Sequence, residues 1–253
     1  MSHLPFSVAI ITLNCAAPLA ECLKSVGFAD DILVVDSGST DGTIDVALAH
    51  GARVVQKAWQ GFGPQKQFAV EAARHDWVLC LDSDERVSPE LAESIRQTLV
   101  GLPERNAYEF ARCNRFLGRY LRHGEGYPDL SLRLFDRRFA RWSDDQVHEK
   151  VITLGEVGRL EGDLLHDSAE TLQSYLAKQN RYTSLAAQAL LDQGREVSVA
   201  KIVLSPLFRF IKFYLVRRGF LDGLPGFIHI AIGCFNSFAK YAKAYELSNR
   251  LRG

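Results

Sequence analysis

Four short apolar runs alternate with mixed-polarity stretches along the first ninety or so residues. Residues 7–13 (SVAIITL), 32–35 (ILVV) and 77–81 (WVLCL) are almost continuously apolar and rich in β-branched side chains. That is the pattern of strands buried on both faces. Residues 53–56 (RVVQ) read as a third, shorter strand. Helices are predicted over 19–26, 43–51 and 65–74. Pro18 suits the first turn of one helix, and Gly51 is placed to cap the end of another. Ser88 and Pro89 fit the N-cap and first position of a fourth helix. Strands alternating with helices predict an α/β fold with a mostly parallel central sheet covered on both faces. Ligands of such sheets bind beyond the carboxyl ends of the strands. Asp36 and Asp82 each end an apolar run there. Further on, 107–112 and 130–135 read as strands, and 175–191 and 206–218 as helices. The chain is therefore divided into a catalytic α/β domain at 1–194 and basic, aromatic-rich C-terminal helices at 195–253.

Charge sharpens that division. The 253 residues carry 30 Lys and Arg against 30 Asp and Glu, so no global basic field invites nucleic acid. From Arg195 onward, however, ten basic residues face three acidic ones, leaving the tail at +7 and the remainder at −7. The segment 206–218 (PLFRFIKFYLVRR) sets Arg209 and Lys212 among aromatic and aliphatic residues. It suits a helix lying on an anionic membrane surface, or alternatively a helical hairpin packed on the catalytic domain. No run of about 18 uncharged apolar residues predicts a membrane span. No charged stretch followed by an apolar one predicts a signal peptide at the start. Five cysteines, an odd number without a C-x-x-C pair, predict neither a disulfide framework nor a zinc site, and fit a reducing cytosol.

Candidate chemistry centres on Asp82-Ser83-Asp84. Carboxylates at i and i+2 in a turn after a strand can hold a divalent cation, Mg²⁺ or Mn²⁺, through oxygen. Such a cation neutralises the charge that builds on a diphosphate leaving group. Acidic residues also favour loops after strands for no catalytic reason. The second acidic strand end, at Asp36, favours a cation and phosphate site. Arg112, Arg115, Arg119, Arg122, Arg133, Arg137, Arg138 and Arg141 crowd one region and would suit a polyanionic acceptor, or simply a solvated surface.

Three stretches carry a family resemblance: Ile10-Ile11-Thr12-Leu13-Asn14, Val34-Val35-Asp36-Ser37-Gly38-Ser39-Thr40-Asp41-Gly42-Thr43 and Leu81-Asp82-Ser83-Asp84-Glu85. With them the chain resembles family 2 glycosyltransferases of the GT-A fold. Trp59 to Lys66, Gly126-Tyr127-Pro128-Asp129, Val147-His148-Glu149, Gly162 to His166 and Gly219 to Gly223 are similar to lipopolysaccharide inner-core glucosyltransferases that act on heptose. The resemblance implies a donor site with Thr12 and Asn14 lining the nucleoside pocket and Asp36 at the base or ribose. It places Lys66 near the base or diphosphate, Asp82 at the ribose or metal, and Asp84 on the metal. Asn14 as a helix cap, Lys66 as a solvated helix residue and Asp36 as a turn former stand as alternatives. The resemblance also implies inversion at the anomeric carbon, which needs a general base. Glu149 is the first candidate and Asp129 the second, with His148 assisting the metal or diphosphate. The implied partners are a nucleotide-sugar donor, UDP-glucose by likeness, and a lipid-linked glycan acceptor. Such an enzyme would be cytoplasmic and peripheral at the cytoplasmic face of the inner membrane.

Other classes fit less well. An Asp-x-Asp phosphotransferase of the haloacid-dehalogenase type places that turn after its first strand, followed by Thr or Val. Here it follows the fourth strand, and Arg86 stands in that place. A dinucleotide oxidoreductase needs G-x-G-x-x-G after the first strand, where this chain has Asn14-Cys15-Ala16-Ala17. A non-catalytic scaffold that binds membranes through its tail would not turn over a sugar nucleotide.

Overall fold

The computed structural model describes residues 3–143, 145, 149–168, 171–195 and 197–252, the side chains of 251 and 252 excepted. The elements begin with β1 (Phe6–Thr12), α1 (Ala16–Ser25), β2 (Asp31–Asp36), α2 (Thr43–Ala49), β3 (Arg53–Gln56), α3 (Phe62–Glu71) and β4 (Trp77–Asp82). Then come β5 (Glu85–Val87), α4 (Pro89–Thr98), β6 (Ala107–Phe116), β7 (Arg119–Tyr120), β8 (Asp129–Asp136), β9 (Ala140–Trp142), β10 (Val151–Thr153) and β11 (Gly158–His166). Three long helices close the chain: α5 (Leu172–Asp192), α6 (Val199–Phe210) and α7 (Gly223–Arg252). Two compact units result, one of Met1–Cys113 with Asp129–Asp167, the other of Asn114–Pro128 with Ser168–Gly253. The boundary read from the sequence at 194/195 falls inside the second unit, between α5 and α6.

In the first unit the main sheet runs β3-β2-β1-β4-β8-β6-β11-β5. The first four strands are parallel, as their alternation with helices predicts. The expectation of a mostly parallel sheet does not extend further, because β8 joins β4, β6 joins β8 and β5 joins β11 antiparallel. Among the described residues no crossover helix stands between β6 and β11, so β8 returns antiparallel to β6. Edge strand β5 is only two residues, Ser83 and Asp84, from β4 in the middle of the sheet. A sheet whose end strand is that close to its centre must curl back on itself, with the Asp82-Ser83-Asp84 turn at the closure.

Strand alternation sorts the core into two layers. Val8 and Ile10 of β1, Val34 of β2 and Leu79 and Leu81 of β4 pack with Leu19 and Leu23 of α1 and Leu91 and Ile95 of α4. Their neighbours Ala9, Ile11, Leu33, Val35, Val78 and Cys80 face the other way, toward Ala69 and Val70 of α3. Ser88 caps α4, accepting the Leu91 N–H at 3.2 Å, with Pro89 in the first turn as expected.

In the second unit, α5 and α6 both lie along α7. The helix read at 206–218 begins earlier, at Val199, with Pro206 inside it, and gives way to a π-helical segment at Ile211–Val216. No residue of α6 is buried, and Val199, Val203, Leu207 and Phe208 are more than half exposed. Arg209 ion-pairs with Glu125, so it is not a purely solvent-facing charge. No helix among the described residues is long and apolar enough to cross a membrane.

Candidate active site

The carboxyl ends of β1, β2 and β4 bring the expected acids together, in three different states. Asp36 is fully buried at the end of β2. Its carboxylate accepts the Thr12 hydroxyl at 2.9 Å, the Gly38 and Ser39 N–H groups at 3.0 and 2.8 Å, and the Ser39 hydroxyl. Burial alone would raise its pKa, and these bonds bring it below the ordinary value. These bonds make Asp36 a turn former at the end of β2. Asn14, in a left-handed conformation at φ 49°, accepts the Thr40 N–H at 2.8 Å and donates its own N–H to Ser39. It joins the two loops; the α1 end is satisfied by others. The Thr43 hydroxyl takes the Cys15 N–H, and Asp41 takes that of Ala16.

Asp82 ends β4 between two cations. Lys66 Nζ lies 3.0 Å from Oδ1, and an Arg133 guanidinium nitrogen 3.1 Å from Oδ2. Burial would raise the Asp82 pKa, but Arg133 and Lys66 outweigh it and hold the carboxyl well below its usual range. The same Lys66 ammonium is 3.0 Å from Glu149 Oε1. Arg133 reaches on to the fully buried Glu85 at 3.3 Å, and Glu85 in turn accepts the Asp82 N–H at 2.9 Å. Burial pushes the Glu85 carboxyl up against the pull of Arg133. Arg112 stands 3.7 Å from Glu85 and holds Asp129 through two nitrogens, at 2.9 and 2.8 Å. The two candidate bases thus sit at opposite ends of one chain of alternating charge, running Glu149, Lys66, Asp82, Arg133, Glu85, Arg112, Asp129. Lys66 is buried, with Trp142 stacked 4.9 Å from its ammonium, so the solvated-helix reading does not hold.

Asp84 stands apart from this chain. Its carboxylate lies 3.4 Å from Nε2 of His166, the last residue of β11. Antiparallel pairing of β11 with β5 sets His166 opposite Glu85 and so beside Asp84. Gly162 lets β11 lie against the α4 backbone: at φ +92°, a Cβ there would meet the Leu91 backbone nitrogen at 2.3 Å. The next residue, Asp163, exchanges backbone bonds with Ser88, donating to its hydroxyl at 3.1 Å and accepting its N–H at 3.0 Å. His166 is the functional candidate that sequence reasoning left without a role, although its motif was conspicuous. His148, expected to assist the metal, lies outside the described residues.

A cavity of about 520 Å³ opens beside these groups, lined by Ile11, Thr12, Leu13, Trp59, Phe62, Asp82, Ser83, Asp84 and His166. Trp59 and Phe62 meet edge to face, 4.8 Å between centroids, and both are about half exposed. A cavity lined by acid, imidazole and exposed aromatic rings suits a ligand with a planar ring and a charged diphosphate. Among the described residues no group of three or more His, Cys, Asp or Glu is poised to hold a metal alone. A facing carboxylate and imidazole are nevertheless donors of the right kind for a divalent ion whose remaining sites are filled by phosphate oxygens and water.

The arginine cluster resolves into separate jobs. Arg112 and Arg133 belong to the charge chain. Arg137 binds Asp76 and the carbonyls of Val70, Glu71 and Ala73, and Arg138 binds Asp136. These four arginines are tied to the protein's own carboxylates and carbonyls.

Residues 7–146 match the family model described as Glycosyl transferase family 2. The chain is 31% identical to the lipopolysaccharide core biosynthesis glycosyltransferase LpsC of Rhizobium meliloti, across 96% of this chain and 93% of that protein. It is also 31% identical to the uncharacterized glycosyltransferase RT0209 of Rickettsia typhi, across 97% and 88% respectively. The crystal structure of S. aureus TarS 1-349 in complex with UDP-GlcNAc superposes with a TM-score of 0.50 at 15% identity, over 94% of this chain and 81% of that one. That likeness is one of fold, the GT-A fold expected from the motifs. With the matched domain and two relatives spanning nearly its whole length, the chain belongs to glycosyl transferase family 2 and is a glycosyltransferase.

Proposed function

We propose that this enzyme transfers a hexose, with inversion, from a UDP-sugar to a heptose of a lipopolysaccharide inner core. UDP-glucose is the donor favoured by the motifs. The observation that carries the reading is the Asp84–His166 pair, 3.4 Å apart on the wall of a 520 Å³ cavity with exposed aromatic rings. The name of LpsC, a core biosynthesis enzyme alike over nearly its full length, supports the acceptor class.

In this reading the uracil stacks on Trp59 or Phe62, and Asp84 and His166 together hold a divalent ion, Mg²⁺ or Mn²⁺. The bound ion would offset the negative charge that develops on the departing diphosphate. This assigns the metal to Asp84 and His166, where the sequence reading gave it Asp84 with Asp82 and His148. Asp82 is committed to Lys66 and Arg133 and serves to fix the turn. Glu149 takes the proton of the acceptor hydroxyl as that oxygen attacks the anomeric carbon. Lys66 orients Glu149 and ties it to Asp82 on the cavity wall. Asp129, held by Arg112 through two nitrogens, is the alternative base.

The acceptor class calls for a membrane surface, reached from the cytoplasmic side. The exposed apolar residues of α6, with Lys201, Lys212, Arg217 and Arg218 close in sequence, supply apolar area and positive charge for an anionic leaflet. Incubation with UDP-glucose, Mn²⁺ and a heptose-terminated lipopolysaccharide core tests the whole proposal. Mass spectrometry should show the core gaining one hexose. A core unchanged by UDP-glucose and by other nucleotide hexoses would overturn the acceptor assignment.

A further inference from the structure

Trp142, the last residue of β9, meets the chain of alternating charge without carrying charge itself. Its ring centroid lies 4.9 Å from the Lys66 ammonium and 5.5 Å from the Arg133 guanidinium carbon. Those are the two cations that share Asp82. Trp142 is only 3% exposed, so both contacts are withdrawn from water, where a cation over an aromatic face gains most. Phe62, another ring near Lys66, is farther off at 5.9 Å and about half exposed. Arg133 Nη1 is buried and has no hydrogen-bond acceptor among the described residues. A buried N–H without an acceptor is costly, and the electron-rich face of Trp142 is the compensation at hand.

The same residue is fixed to three elements. Its indole Nε1 donates to Cys80 Sγ of β4 at 3.4 Å, and its backbone N–H donates to Gln67 Oε1 of α3 at 3.0 Å. Its backbone pairs with Val151 of β10. The next residue, Ser143, donates its N–H to the Lys150 carbonyl at 2.8 Å, and its hydroxyl accepts the Lys150 N–H at 3.2 Å. Glu149 directly precedes Lys150. The helix that carries Lys66 lies against this same backbone, since a Cβ on Gly63 would meet the Ser143 carbonyl oxygen at 2.4 Å. The backbone at Trp142 thus sets the segment that carries Glu149, and its ring meets the cation that binds Glu149. A leucine there could keep the strand pairing and fill much of the space. It would offer neither cation a π face.

We propose that Trp142 is a positioning residue for the transfer reaction: its ring holds the Lys66 and Arg133 cations in place, and through Lys66 it fixes the Glu149 carboxylate. The proposal rests on the reading of Glu149 as the base. The donor is held by other groups in that reading, Trp59, Asp84 and His166. Loss of the ring therefore falls on kcat and spares the KM of the donor.

The test compares Trp142→Leu, Trp142→Phe and a tetrafluorinated tryptophan at position 142, which keeps the shape of the ring and drains its face of electron density. Transfer from UDP-glucose to the heptose-terminated core is followed with each, per folded molecule. The leucine and fluorinated forms should lose at least about tenfold in kcat, the scale of one desolvated cation–π contact, with the donor KM within about twofold of the parent. Trp142→Phe should recover most of that loss. Trp77→Phe, at a buried tryptophan at the start of β4, is the control for packing alone: it should lower the denaturant midpoint and change kcat less than about twofold. A second readout needs no turnover. In lysine-labelled protein the ε-methylene protons of Lys66 should be shifted upfield by the ring, and the shift should vanish in Trp142→Leu. A slow Glu149→Gln beside an unimpaired fluorinated form would overturn the positioning role and leave the base reading standing. A fast Glu149→Gln would overturn the base reading and this proposal with it. Lys66 resonances that do not respond to Trp142→Leu would overturn the proposal whatever the rates.

Discussion

The ammonium of Lys66 lies 3.0 Å from the carboxylate of Glu149, although the two residues stand far apart in sequence and on different elements. The same ammonium is 3.0 Å from Asp82. Lys66 is the only described side chain that an ion pair joins both to the Asp82 turn and to the favoured base. From the sequence Lys66 stands as a donor-site candidate or a solvated helix residue. In three dimensions it couples the end of β4 to the 149–150 segment.

Lys66→Met should therefore cost both stability and rate. The substitution keeps an unbranched apolar stem, one atom shorter, but leaves Asp82 and Glu149 without a shared cation. Breaking a buried pair costs about 3–5 kcal/mol, and because Arg133 still serves Asp82, a loss of roughly 2–3 kcal/mol is expected. Denaturant midpoints measure the first effect, and steady-state transfer the second. A variant as stable and as active as the parent would show that the ion pairs have no consequence.

Glu149→Gln should retain donor binding and slow transfer by roughly 10²-fold or more, the scale of a lost general base. Asp129→Asn, at the far end of the charge chain, should lower stability through Arg112 and change the rate much less. Single-turnover rates and donor titrations separate the two. The reverse pattern would move the base to Asp129.

Acid sensitivity follows from the other end of the sheet. Asp31 is buried and takes Arg53 Nε at 2.7 Å and the Ser7 hydroxyl at 2.9 Å. Burial would raise its pKa, but the bonds to Arg53 and Ser7 lower it from 3.8 to about 2. A carboxyl with a depressed folded-state pKa adds stability above its unfolded pKa and loses it as pH falls through the folded one. Roughly 2 kcal/mol should thus disappear between about pH 4 and pH 2. Urea titrations across that window should show the loss, and Asp31→Asn should flatten it. An unchanged pH slope in Asp31→Asn would contradict this assignment.

How much of this was legible in the sequence depends on the range of the interaction. The first four strands could be read because each is a local apolar run and the helices between them carry their own caps and stops. Ser88-Pro89 is such a local signal, and the helix starts where it says. The antiparallel half of the sheet was not legible as such, since β8 and β11 are ordered by partners distant in sequence. His166 shows the same limit: only its register opposite Glu85 brings it to Asp84. Lys66 was read equally well as a donor-site residue or a solvated helix residue, because the carboxylates that bury it lie on β4 and beyond β9. The tail helix starts earlier than the 206–218 read from the sequence, because Ser198 provides the cap, accepting the Lys201 N–H at 3.4 Å.

The central claim is that Asp84 and His166 make this a metal-assisted nucleotide-sugar site, with Asp82 holding the turn. The most direct measurement is release of UDP from UDP-glucose as a function of Mn²⁺ in the parent, Asp84→Ala, His166→Ala and Asp82→Asn. The account predicts Mn²⁺-dependent release in the parent, abolished by chelation. Release should fall by about 10²-fold or more in the Asp84 and His166 variants, the scale of lost transition-state charge stabilisation. Asp82→Asn should lower the rate while keeping its dependence on Mn²⁺. Release that ignores Mn²⁺, or a metal response lost in Asp82→Asn but kept in both Asp84→Ala and His166→Ala, would contradict it.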